Sequence, residues 1–135
     1  MHLSKLHIEN FRNIQTYKIK FSEGLNLITG MNGQGKSNLL EAIYFLGNLK
    51  SFRGAKRSNL TQWGCNKFGL RGEFISSETG KKLSLEAVCD RGKAQYRING
   101  VTTESVENYL SRVCTIAFHP DSLSVLKGGP IHRRM

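Results

Sequence analysis

The sequence predicts an α/β fold: a mixed sheet around one phosphate-loop helix, followed by an antiparallel β-meander. Three observations predict it. Gly30-Met31-Asn32-Gly33-Gln34-Gly35-Lys36-Ser37 spells G-x-x-x-x-G-K-[ST], a loop whose backbone N–H groups cradle phosphates. An alternating segment precedes this loop and a helical pattern follows it, which is the strand–loop–helix order that the motif requires. Beyond residue 66, three segments alternate apolar and polar residues at period two, with turn residues between them.

The elements follow in order. Residues 3–8 alternate as a strand, with Leu3, Lys5 and His7 on one face and Ser4, Leu6 and Ile8 on the other, and residues 10–13 read as a turn. Tyr17, Ile19 and Phe21 alternate with Lys18 and Lys20 in a second strand. After a turn at residues 22–24, residues 24–29 read as a third strand entering the loop. From Asn38 onward, Leu39, Leu40, Ala42, Ile43, Phe45 and Leu46 recur at helical spacing, with Gly47-Asn48 as a stop. Residues 50–57 form a basic, irregular stretch. The meander comprises strands at 68–74, 83–89 and 94–98, joined by a hairpin turn over 76–81 and closed by Asn99-Gly100. Thr102 or Thr103 caps a short helix through Leu110, residues 113–118 read as a buried strand, and His119-Pro120-Asp121 breaks it. A helical turn over 121–126 and a loop at Gly128-Gly129-Pro130 complete the pattern.

In the loop, glycines let the backbone turn sharply around phosphate oxygens. Lys36 reaches the β- and γ-phosphates, and the Ser37 hydroxyl is placed to ligate Mg²⁺. The helix dipole favours the anion. These residues imply a bound nucleoside triphosphate.

Composition bounds the rest. The 135 residues suffice for one domain with a core. With 39% hydrophobic and 22% charged residues, the chain is globular rather than disordered. It has neither a membrane-length apolar run nor a signal-peptide pattern, so a cytoplasmic location is expected. Lysine and arginine total 20 against 10 acidic residues, a net charge of +10 that favours a polyanionic partner. The basic stretch at 50–57 reads equally as a solvated loop near a helix C-terminus or as a phosphate contact. Cys65, Cys89 and Cys114 are widely spaced and do not cluster with histidines, so reduced, mostly buried thiols are expected rather than a zinc site. Hydrolysis also needs a Mg²⁺-holding carboxylate at the end of an apolar strand. Asp90 and Asp121 are the only aspartates, and neither fits that position well. No L-S-G-G-Q-like signature occurs, and the meander offers no lid for a small-molecule kinase.

Several segments together resemble the N-terminal part of the RecF family of bacterial DNA replication and repair proteins. They are Ile8-Glu9-Asn10-Phe11-Arg12-Asn13, Leu25-Asn26-Leu27-Ile28, the stretch from Gly33 to Tyr44, Lys50-Ser51-Phe52-Arg53, 117–123 and 128–134. The resemblance implies the first lobe of an SMC-like, ABC-type ATPase head spanning 1–135, with the arm, signature motif and catalytic carboxylate elsewhere. It departs from the family at His119, where a small polar residue is usual. By the resemblance, Gly30, Met31, Asn32, Gly33, Gln34, Gly35, Lys36 and Ser37 bind ATP and Mg²⁺, with Asn38 beside the α-phosphate. Arg12 and Asn13 approach the ribose or base, and Asp121 lies where ABC heads place a switch loop. Lys50, Arg53, Lys56 and Arg57 are candidates for DNA contact. The implied function is ATP-dependent binding to single- and double-stranded DNA and gap junctions in repair and the SOS response. The implied partners are a second subunit, joined on ATP binding, and other recombination mediators. Another SMC-like head, or a lobe without independent hydrolysis, is the alternative.

Overall fold

The computed structural model describes residues 1–31 and 35–118. Asn32, Gly33 and Gln34 of the loop lie outside the described residues, as do His119, Asp121 and the elements expected after them. Six strands form one sheet: β1 (His2–Phe11), β2 (Ile14–Lys20), β3 (Lys67–Ile75), β4 (Lys82–Asp90), β5 (Lys93–Ile98) and β6 (Val101–Thr103). Their order is β2-β1-β3-β4-β5-β6, and every pairing is antiparallel. The expected mixed character is therefore not seen among the described strands. Helix α1 (Lys36–Asn48) packs on one face against β1, β3 and β4, and short α2 (Val106–Leu110) against β5 and β6.

Alternation places Leu6, Ile8, Phe68, Leu70, Leu85 and Ala87 on the helix-facing side, where they are buried with Leu39, Ala42, Phe45 and Leu46 of α1. Phe68 meets Phe11 and Phe45 edge-on, at centroid distances of 5.3 and 5.6 Å. Such pairs contribute roughly 0.5–1.5 kcal/mol beyond their buried area. Gly72 leaves room for Leu46 to lie against the sheet; a Cβ there would fall 2.5 Å from Leu46 Cδ2. Burial of the Tyr109 side chain ties α2 to α1, because its hydroxyl donates to the Leu46 carbonyl at 2.9 Å. That bond satisfies one of the carbonyls left open at a helix C-terminus.

Several details differ from the pattern. A register shift between Leu3 and Lys5 turns Leu3 to the core side, opposite Phe74, while Lys5 stays outside, opposite Glu73. Period-two alternation cannot anticipate such a bulge. The first strand extends through Phe11, so the turn is confined to Arg12-Asn13. Residues 101–103 pair as β6, and Ser105 rather than a threonine caps α2, accepting from the Asn108 N–H at 3.1 Å. Residues 24–29 and 113–118 pair with no described strand, and Leu25, Leu27, Ile116 and Phe118 are largely exposed. The Asn26 side chain folds back onto the Ser22 N–H and carbonyl, both at 2.9 Å. All three cysteines are free, but only Cys89 is buried. Burial pushes its thiol up to about 11, against a lowering pull from Arg57.

Candidate nucleotide cradle

The cradle begins where the loop becomes helix. Gly35 is the residue before α1, at φ 88°, a left-handed conformation that suits glycine. Space demands glycine there too, since a Cβ would lie 3.1 Å from Asn13 Oδ1. Leu39 N–H donates to the Gly35 carbonyl at 2.9 Å. The amides of residues 36–38 precede the first intrahelical bond, and no carbonyl among the described residues takes them up. No acidic residue occupies that first turn. The Lys36 ammonium donates to the Gly30 and Met31 carbonyls. Ser37 is exposed beside it. An open amide row, a cation and a free-facing hydroxyl form a donor set that fits a triphosphate with its metal ion.

Next to the loop runs a groove of about 470 Å³, with Asn13, Gln15 and Tyr17 on one wall and Thr29, Lys36 and Leu39 on the other. Asn13 is anchored by the Asn38 amide, which donates to its Oδ1 at 2.7 Å. Arg12 points elsewhere. Its guanidinium makes two bonds of 2.9 Å to the carboxylate of Glu41.

Glu41 is the feature that pattern reading passed over. It sits on α1 among Leu39, Ala42 and Phe45 and is 0% exposed. Besides Arg12 it receives the Ser51 hydroxyl, and Arg53 Nη1 lies 3.5 Å from its Oε2. Burial alone would push this carboxyl up. The hydrogen bonds from Arg12 and Ser51 and the charges of Arg12 and Arg53 outweigh burial and hold it below its ordinary value. A glutamate inside an apolar helical stripe is the sequence signal that could have revealed it, because a buried carboxylate demands cationic partners.

Arg53, expected in a basic surface loop, stays exposed but reaches Glu41 with its guanidinium. It also donates to Asn38 Oδ1 at 3.0 Å and lies 5.6 Å from the Phe52 ring centroid. Lys50, Lys56 and Arg57 are exposed as well. One connected set therefore runs from Asn13 through Asn38 and Arg53 to Glu41 and Arg12. It joins the first turn of the phosphate helix to the β1–β2 turn and to the basic stretch. Asp90 ends β4 exposed, 4.0 Å from Arg91, away from this set.

Residues 2–127 match the family described as the RecF/RecN/SMC N terminal domain. The DNA replication and repair protein RecF of Desulfitobacterium hafniense (strain DSM 10664 / DCB-2) is 38% identical over 134 residues, covering 99% of this chain and 36% of that protein. RecF of Thermoanaerobacter sp. (strain X514) is 37% identical, covering 99% of this chain and 37% of that one. The chain thus spans little more than a third of the length of these relatives. A solved structure of the recombination mediator protein RecF with ATP superposes with a TM-score of 0.88 at 37% identity, covering 98% of this chain and 37% of that chain. The SMC head domain from Thermotoga maritima gives 0.70 at 21% identity, over 84% of this chain and 43% of that one, a likeness of fold. The fold is the N-terminal lobe of an ABC-type ATPase head.

Proposed function

This chain belongs to the RecF/RecN/SMC N-terminal domain family, and we propose that it is the ATP-cradling lobe, residues 1–135, of a RecF-type DNA replication and repair protein. The observation that supports this most directly is the Gly35–Lys36–Ser37 corner, with open helix amides, a cation and an exposed hydroxyl on one side of the groove. ATP would lay its phosphates on the loop, with Lys36 at the β- and γ-phosphates and Mg²⁺ on Ser37. Asn38 would stand beside the α-phosphate. Asn13 would approach the ribose or base, with Arg12 anchored behind it on Glu41.

In this reading, ATP promotes pairing of two heads and DNA binding, with Lys50, Arg53, Lys56 and Arg57 of the basic stretch as exposed candidate contacts. Hydrolysis would use a carboxylate and a signature motif that these 135 residues do not carry, so this chain alone would bind ATP without appreciable turnover. Cytoplasmic repair and SOS roles, and contacts with other recombination mediators, belong to the same reading.

Titration of the 135-residue chain with a fluorescent ATP analogue and Mg²⁺ tests it. Lys36→Ala is expected to weaken binding at least tenfold, while its thermal melt stays that of the wild type. Equal affinity in the two proteins would sink the reading, and P-loop-dependent turnover by this chain would overturn the claim of inactivity.

A further inference from the structure

The face of the sheet turned away from α1 is not uniform. Across β4 and β5 its charges are matched: Arg97 Nη1 lies 3.0 Å from Glu86 Oε1, and Asp90 stands in register with Lys93. Across β2, β1 and β3 they are not. Lys20 is directly opposite Lys5, while Lys18 is opposite His7, which is in turn opposite Arg71. Like charges in register destabilise a sheet, so this arrangement weakens the fold rather than supporting it. Relief is partial: Lys5 is 3.3 Å from Glu73, and His7 Nε2 is 3.4 Å from Glu9 Oε1. Lys18, Lys20 and Arg71 have no carboxylate within ion-pair distance among the described residues. Arg71 faces Glu86, but that carboxylate is engaged by Arg97. Together these side chains line a shallow depression of about 340 Å³.

We propose that this depression, bounded by Lys5, Lys18, Lys20 and Arg71, is a docking surface for the phosphate backbone of duplex DNA, separate from the basic stretch at 50–57. The proposal rests on the DNA-repair reading above and names a surface for it. The charge spacing favours an extended polyanion over a small anion. Lys18 and Lys20 are two residues apart on one strand, about 6.7 Å, and β2 and β3 lie about 10 Å apart across β1. The first distance is close to the through-space separation of neighbouring phosphates on one strand, which exceeds their axial rise of about 3.4 Å because the backbone winds around the duplex. Cations spread over such a grid cannot converge on one phosphate, but they can each meet a phosphate along a backbone. Contacts of this kind position the nucleic acid without reading its sequence.

The test is fluorescence anisotropy of a short labelled duplex with the 135-residue chain, with and without ATP, over a series of salt concentrations. The triple variant Lys18→Gln/Lys20→Gln/Arg71→Gln is compared with Lys50→Gln/Lys56→Gln/Arg57→Gln. Both triples change exposed side chains, and circular dichroism melts check that each is folded; if a triple does not fold, Lys18→Gln/Lys20→Gln alone replaces the first. The sheet-face triple is expected to lose at least tenfold in affinity, with its log K against log salt slope reduced by about 3, roughly one per phosphate contact. If that triple binds like the wild type while the 50–57 triple is impaired, the sheet-face proposal is wrong and the DNA reading survives. If the wild type ignores duplex DNA under all conditions, both are wrong.

Discussion

Two regions of this molecule carry strand-like apolar patterns and end differently. In β3, β4 and β5 the core-facing apolar positions are buried, Ala94 only partly, and the backbones are paired, from Phe68↔Cys89 through Ile75↔Lys82 and Leu85↔Ile98. Residues 24–29 alternate as regularly and residues 113–118 form a nearly continuous apolar run, both beside α1, yet Leu25 is 93% and Ile116 87% exposed. The difference is not propensity. A strand is stable only when a neighbour takes up its hydrogen bonds, and the meander carries its neighbours in sequence, across short turns. The segments flanking the P-loop helix have no such neighbour among the described residues. The cradle is instead held by side chains, through the Asn13–Asn38–Arg53–Glu41–Arg12 set. Stability should therefore be concentrated in the sheet core and in that set, and scarce in the flanking segments.

The largest effect is expected at Glu41. Glu41→Ala would strip a buried carboxylate from Arg12 and Arg53 at once and cost about 3 kcal/mol in urea unfolding. That is the low end for a broken buried ion pair, because both arginines are partly exposed and can turn to water. Its pH dependence sharpens the point. A carboxyl held below its ordinary 4.5 contributes stability in full above that value and loses it as pH falls through the lower folded value. The gap between wild type and Glu41→Gln should therefore be wide at neutral pH and close as the pH drops below 4.5. A gap that stays constant on acidification would mean that the charge on Glu41 does not hold the set together.

On the sheet side the next effect is steric. At Gly72, an added Cβ would meet Leu46 Cδ2 at 2.5 Å and both Leu3 Cδ1 and Phe74 Cε2 at 3.1 Å. Gly72→Ala is expected to cost about 2 kcal/mol by overpacking, with α1 pushed off the sheet. Near-wild-type stability would show that the helix–sheet contact is looser than described. Ser105→Ala removes the α2 cap and should cost about 1 kcal/mol.

These effects also mark how much the sequence alone revealed. The meander, its Asn99-Gly100 turn and the helix that begins after Gly35 were readable because local alternation and turn chemistry decide them. The Leu3 bulge was not, since it depends on how β1 meets β3. The loop's Lys36 and Ser37 were readable as a motif. Glu41 and its pairing with Arg12 and Arg53 were not, because a residue's ion-pair partners are set by tertiary contact between segments 29 and 12 residues apart. Residues 24–29 and 113–118 were read as strands from a pattern that describes only one side of a pairing.

The smallest effect tests the other half of the comparison. In Leu25→Ser/Leu27→Ser two large apolar side chains are lost, yet at 93% and 84% exposure they remove almost no surface from water. Such exposed substitutions fall within about 0.5 kcal/mol, and the melt and urea midpoint of the 135-residue chain should barely move. Two buried leucines cut back in the sheet, for example Leu70→Ala with Leu85→Ala, would together cost several kcal/mol, at about 2–5 kcal/mol for each. A loss above about 1 kcal/mol in the serine double variant would mean that residues 24–29 find a packing partner in solution, such as residues 113–118 or a second copy of the chain. Sedimentation of the two proteins would separate those cases. Only the second copy makes the wild type heavier than the variant, and only the first leaves both monomeric with different stabilities.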